Sequence, residues 1–260
     1  SLKSLTNYRK IWSSRGSPLY FHSRDLSQKL QKSLGEEFAV DLAMGYQSPR
    51  MAETLRNFQR QNINNIIAIP LFPQYAPATW GSTVAKLYQI SSKFWDVPHI
   101  KVVHPMIEDD LWSDIWAAKI SPLLQEHPDA MVIFSFHGLP ESHIMKSSTA
   151  CQLNKDCCEA LPLKRCYRAH CWKTARDIAK KLDLAESRMQ MTFQSRLGKQ
   201  EWLKPDTSKV VNDLAQRGSK KIIMVSPAFV ADCVETLEEL NIQCRQEFMD
   251  QGGQQFISVP

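Results

Sequence analysis

Three runs of this chain are apolar almost without a break: residues 65–71, 130–136 and 221–225. A strand wet on one face alternates polar and apolar residues, whereas an unbroken run requires cover on both faces. Around these runs lie stretches with helical spacing and helix punctuation. Ser48 and Pro49 read as the N-cap and first residue of a helix over 49–61. Further helices are expected over 82–93, 109–125, 172–181, 207–217 and 230–240, with Gly218 as a stop signal after the fifth of these six segments. Shorter strands are expected at 38–44, 100–103 and 189–194. Such alternation gives an α/β fold with parallel sheets and helices on both faces.

The order strand, helix, buried strand, proline-containing loop, helix describes residues 38–93 and again 189–240. Ile66-Ile67-Ala68-Ile69-Pro70 compares directly with Ile222-Ile223-Met224-Val225-Ser226-Pro227. Two related lobes, 1–128 and 129–260, facing each other across a cleft would produce this pattern, and so would chance. A net charge of +5 spread over scattered basic residues makes nucleic acid an unsuitable partner. Residues 1–15 lack the apolar core of a signal peptide, and the run 66–72 is too short to span a bilayer. The expectation is a soluble, cytoplasmic protein, at most peripheral to a membrane. Seven cysteines then read as thiols or metal ligands rather than disulfides.

Several strands end in groups capable of chemistry. The run 130–136 stops at His137-Gly138-Leu139-Pro140. An imidazole at the C-terminal tip of a parallel strand is placed to take a proton or bind a metal, although a strand-end histidine can also be merely structural. Asp232, Glu235 and Glu239 are spaced to share one face of an α-helix, as a cation path or as a solvated acidic face. Thr192-Phe193-Gln194-Ser195-Arg196-Leu197-Gly198 ends another strand, and Trp202 and Phe229 offer flat walls for a planar ligand or ordinary packing. An insert at about 147–171 holds five cysteines in the pattern C-x5-C-C-x7-C-x4-C. Four thiolates suit zinc or an iron–sulfur cluster, and the adjacent Cys157 and Cys158 leave one bystander.

Together these motifs resemble the ferrochelatases, which insert ferrous iron into protoporphyrin IX. The resemblance rests on Phe134-Ser135-Phe136-His137-Gly138-Leu139-Pro140, on Thr192 to Arg196 with Trp202-Leu203, and on Pro227 to Leu237. Leu71-Phe72-Pro73-Gln74-Tyr75, Gly81-Ser82 and Gly16-Ser17-Pro18 extend it over nearly the whole chain. It implies two Rossmann-like lobes of chelatase type with the porphyrin in the cleft between them. It implies His137 and Glu235 as the catalytic pair at the metal-transfer site, with Glu239 and Asp232 completing the metal path. Trp202, Phe229, Ser17 and Tyr75 would line the porphyrin pocket. The cysteine insert resembles that of a bacterial subgroup with an internal [2Fe-2S] cluster, which implies Cys151, Cys158, Cys166 and Cys171 as ligands, Cys157 as alternate and zinc as the other occupant. Fe²⁺ would be substrate, the chain a monomer or homodimer, and any membrane contact peripheral to the inner membrane.

The sequence departs from the family pattern at Gly45, where many members have arginine, at Gln243, where some extend the acidic row, and at Cys233, where some have histidine. It also begins after the family's usual first strand and stops at Pro260, before the usual last helix, so a fragment is one expectation. Two other classes stay open on the residues: a chelatase for another metal and tetrapyrrole, and a non-catalytic tetrapyrrole-binding protein.

Overall fold

The computed structural model describes residues 2–147, 151–160 and 165–260. Its main sheet has four parallel strands in the order β4-β3-β5-β6. They are β3 (Met131–His137), β4 (Met189–Gln194), β5 (Lys221–Val225) and β6 (Gln255–Ser258). Both faces are covered, as the unbroken apolar runs require. On one side Val132, Phe134 and Phe136 meet Trp116 and Ile120 of α5 (Asp110–Glu126) and Ile178 of α8 (Tyr167–Lys181). On the other, Ile133, Ile222 and Met224 meet Val211 and Ala215 of α9 (Thr207–Gln216) and Phe248 of α10 (Arg245–Asp250). Each such side chain taken fully out of water contributes roughly 1.5–3 kcal/mol. By its packing, α5 belongs to this sheet rather than to the residues before it.

A second sheet pairs β1 (Asn65–Ala68) with β2 (His99–Val102), also in parallel. It is flanked by α3 (Met51–Arg60) and α4 (Ser82–Ser91), whose Leu55 and Leu87 bury against Ile66. The composition of 65–71 asks for cover on both faces, and the structure does not provide it. The strand ends at Ala68, and Ile67 and Ile69 stay 57% and 43% exposed along a large cavity. Residues 38–44 form no strand, and only Met44 makes an isolated bridge, to Arg50. A strand exists only through a neighbour's ladder, and this segment has none. That removes the first term of the repeat between 38–93 and 189–240. Ser48 does not cap α3 either. The helix starts at Met51, and the Glu53 carboxylate accepts from the Arg50 N–H (2.8 Å) and the Ser48 hydroxyl (3.1 Å).

The helices expected from the sequence do not include α1 (Leu2–Ile11), α2 (Pro18–Leu34) or the shorter α10. The short α6 (Glu141–Ser147) and α7 (Lys155–Ala160) flank the part of the insert outside the described residues. The helix expected at 230–240 is instead a π-helix over Glu235–Cys244, continued by α10. A shorter π-turn, Pro77–Gly81, precedes α4. Among the described residues no helix is long and apolar enough to cross a membrane.

Candidate active site

His137 is delivered by a strand that outruns its neighbour. The β3–β5 pairing ends at Phe134↔Val225, while the β3–β4 pairing continues to His137↔Gln194. Gly138 then turns the chain under Trp202. A Cβ there would lie 2.8 Å from the Gln194 carbonyl and 3.2 Å from the Trp202 ring, so only glycine fits without a shift. The His137 Nδ1 lies 2.7 Å from the Gly138 carbonyl. A carbonyl only accepts, so Nδ1 carries the proton and the neutral ring keeps its lone pair on Nε2.

The end of β4 brings the acidic helix to the histidine. The Gln194 amide donates to the Glu235 carbonyl (2.8 Å), and its oxygen accepts from the Ser135 hydroxyl (2.8 Å). Ser135 and Thr192 both bond Thr207 at 2.9 Å. This buried polar chain ties the strand of His137 to the first turn of the π-helix. Ser195, in the left-handed region at φ 65°, donates its hydroxyl to the Glu239 carboxylate. Positive φ at a non-glycine residue is uncommon and gathers at functional sites.

His137 and Glu235 line one cavity of about 3290 Å³, together with Ser17, Tyr167, Phe229 and Cys233. Burial pushes the Glu239 carboxyl above its ordinary range, and the charge of Glu235 adds to this; the Ser195 hydroxyl and His137 act in the opposite direction. Glu239 therefore senses both Glu235 and His137 electrostatically. Tyr8 of α1 joins them, its phenol pushed up by burial and by Glu235 and Cys233.

The other expected residues lie elsewhere. Asp232 precedes the helix and accepts from the Thr236 hydroxyl (2.8 Å), so it does not share a helical face with Glu235 and Glu239. The buried acid of this helix is Glu238, 0% exposed, which pairs with Lys10 of α1 at 2.6 Å. The structure does not bring Tyr75 or Trp202 to the cavity wall. Tyr75 packs on Trp80 and His170 (centroids 5.6 and 6.5 Å), and the Trp202 Nε1 donates to the Leu197 carbonyl at 2.8 Å. Gln74, beside Tyr75, is buried and donates to Thr174 (3.1 Å) and to the Pro227 carbonyl (3.2 Å), holding the loop after β1 against the approach to the π-helix. No local pattern points to Tyr8 or Lys10, whose partners lie more than two hundred residues away.

Cys157, Cys158, Cys166 and Cys171 are buried in one core cluster, with Cys151 packed against it. Cys166 stands at the N-terminus of α8. Its thiol falls to about 6 because Cys158 donates to it and the Ala169 and Arg168 N–H groups point at it, against the opposing effect of burial. Arg168 also donates to the Cys158 sulfur at 2.9 Å. Burial holds Cys171 well above the usual thiol range. Among the described residues no three His, Cys, Asp or Glu side chains are arranged to hold a metal ion.

Glu239 gives a stability test. Its folded value lies above its unfolded one, so folding favours the neutral form. That contribution is full below the ordinary carboxylate range and is lost as pH rises through the folded value. Glu239→Gln fixes the neutral form and still accepts from Ser195. The variant should melt a few degrees above the parent at about pH 8, and the gap should close towards about pH 4. A gap independent of pH would count against the burial argument.

A family model described as Ferrochelatase matches residues 1–260. A Bdellovibrio bacteriovorus protein named Ferrochelatase is 38% identical over 259 residues, covering 99% of this chain and 77% of the relative. One from Legionella pneumophila strain Paris is 36% identical over 261 residues, covering 100% and 78%. One from Coxiella burnetii is 35% identical over 264 residues, covering 99% and 73%. Among solved structures, SirB from Bacillus subtilis with Fe³⁺ superposes with a TM-score of 0.59 at 11% identity, over 94% of this chain and 85% of that one. That likeness concerns the fold.

Proposed function

The chain belongs to the ferrochelatase family, and from that premise we propose that His137 and Glu235 are the pair that transfers Fe²⁺ into protoporphyrin IX. Ferrochelatase activity in haem synthesis is the function the family assigns to this enzyme. The observation that carries the site reading is that both side chains line one cavity while Glu239 feels the charge of each. The division of labour follows from their chemistry. Insertion replaces two pyrrole N–H protons with one Fe²⁺, so two protons must leave. The His137 Nε2 lone pair takes one and the Glu235 carboxylate the other. The carboxylates also replace waters on the incoming cation, since hard divalent ions favour oxygen ligands. Glu239, behind Glu235, is available to carry a proton away. Phe229 and Ser17 contribute to the porphyrin wall. Tyr75 and Trp202 support the pocket from behind, through Gln74 and Gly138. Asp232 acts on the metal path from the turn before Glu235, where it accepts from the Thr236 hydroxyl.

The same reading includes a [2Fe-2S] cluster held by Cys151, Cys158, Cys166 and Cys171, with Cys157 as alternate for Cys158. The chemistry of the donor set, though not the present arrangement of its side chains, suits such a group: buried thiols, a lowered Cys166, Arg168 against Cys158 and backbone N–H groups at a helix start. When bound, the cluster would supply one-electron redox chemistry or a structural clasp. Two lobes with α5 counted in the second, a cytoplasmic location with at most peripheral contact at the inner membrane, and a monomeric or homodimeric state complete the proposal.

The test is an anaerobic visible spectrum of the purified protein, repeated after adding Fe²⁺ and protoporphyrin IX. Conversion to the haem spectrum is expected, as are cluster bands that Cys166→Ser abolishes. A colourless protein holding zinc would replace the cluster with a zinc site. Porphyrin binding without metallation would defeat the catalytic reading.

A further inference from the structure

We propose that Tyr167 is a positioning residue for metal insertion, its hydroxyl fixing the backbone of His137 and tying that residue to the cysteine-bearing helix α8. The need arises from the sheet. β5 stops pairing at Val225, so the end of β3 has lost its ladder on that side. The His137 carbonyl there accepts from the Tyr167 hydroxyl at 2.7 Å. Tyr167 is 6% exposed and lines the same cavity as His137. On its other side the hydroxyl contacts the Cys171 thiol, one turn along α8. A buried carbonyl without a donor is costly, so this contact holds the strand end in one place. The residue then stays where its Nδ1 meets the Gly138 carbonyl and its side chain lines the cavity.

The inference rests on the reading of His137 as the metal-transfer base. Tyr167→Phe removes only the hydroxyl. It is expected to lower kcat about ten- to a hundredfold. KM for porphyrin should stay within about threefold, because the Phe ring still fills the wall. The limb of the pH–rate profile set by the base should shift. In a His137→Ala background the same change should have no further effect, because the two act as one unit. A fully active Tyr167→Phe enzyme beside an inactive His137→Ala enzyme would overturn this proposal alone. So would a loss that persists undiminished in the His137→Ala background. A fully active His137→Ala enzyme would instead defeat the reading of the histidine. Should the phenylalanine variant fail to fold, a fluorotyrosine at 167 keeps the ring and strengthens its donation. It should then move the pH–rate limb, and no movement would count against the contact.

Discussion

His137→Ala is expected to lower kcat for iron insertion about a thousandfold, equivalent to about 4 kcal/mol of barrier. The imidazole is presented at the cavity with its tautomer set by the Gly138 carbonyl, so its basic nitrogen is Nε2. Alanine removes that base and leaves the strand intact, since the backbone contacts to Gln194 and Tyr167 do not involve the ring. Porphyrin affinity, read by fluorescence quenching, should change by less than about threefold. Added imidazole should restore part of the rate. A loss below about tenfold would remove His137 from the proton transfer.

Glu235→Gln should produce the second-largest loss, about a hundredfold or more in kcat, with a higher KM for Fe²⁺. The substitution keeps the shape and the bond from Gln194, which goes to the backbone carbonyl. It removes the negative charge that accepts a proton and draws in the cation. That charge also helps keep the Glu239 carboxyl high. The melting gap between Glu239→Gln and its parent should therefore narrow in the Glu235→Gln background. Unchanged kinetics would transfer the carboxylate role to Glu239. A rate loss with an unchanged gap would keep Glu235 in the chemistry and dismiss the coupling.

The core of the site was legible because a strand buried on both faces has a distinctive composition. Residues 189–194 and 221–225 were bounded correctly, and 130–136 differs by one position at each end from Met131–His137. Residues 38–44 have the same composition but no partner, and no local pattern encodes a partner. The serine–proline signal misled in both directions. At Ser17-Pro18 it opens α2 and was passed over; at Ser48-Pro49 it was read as a helix start and is not one. The acidic helix was read with α spacing, which grouped Asp232 with Glu235 and Glu239. The helical segment begins at Glu235, which the composition does not reveal, and this leaves Asp232 in the turn before it. The contacts of Tyr167 with His137 and of Lys10 with Glu238 join distant segments, and only the fold brings them together.

The Lys10–Glu238 pair also bears on how α1 leaves the body of the protein. The carboxylate at its inner end is shut off from water, while the ammonium is 42% exposed. A helix docked only through greasy contacts can fray residue by residue, each step costing little. Here the last step takes the cation from a dry carboxylate and leaves it the Gln243 amide, which is far more costly than any earlier one. Detachment of α1 is thus a single concerted event with a threshold. Hydrogen exchange along Leu2–Ile11 should report one shared opening rather than a gradient from the end.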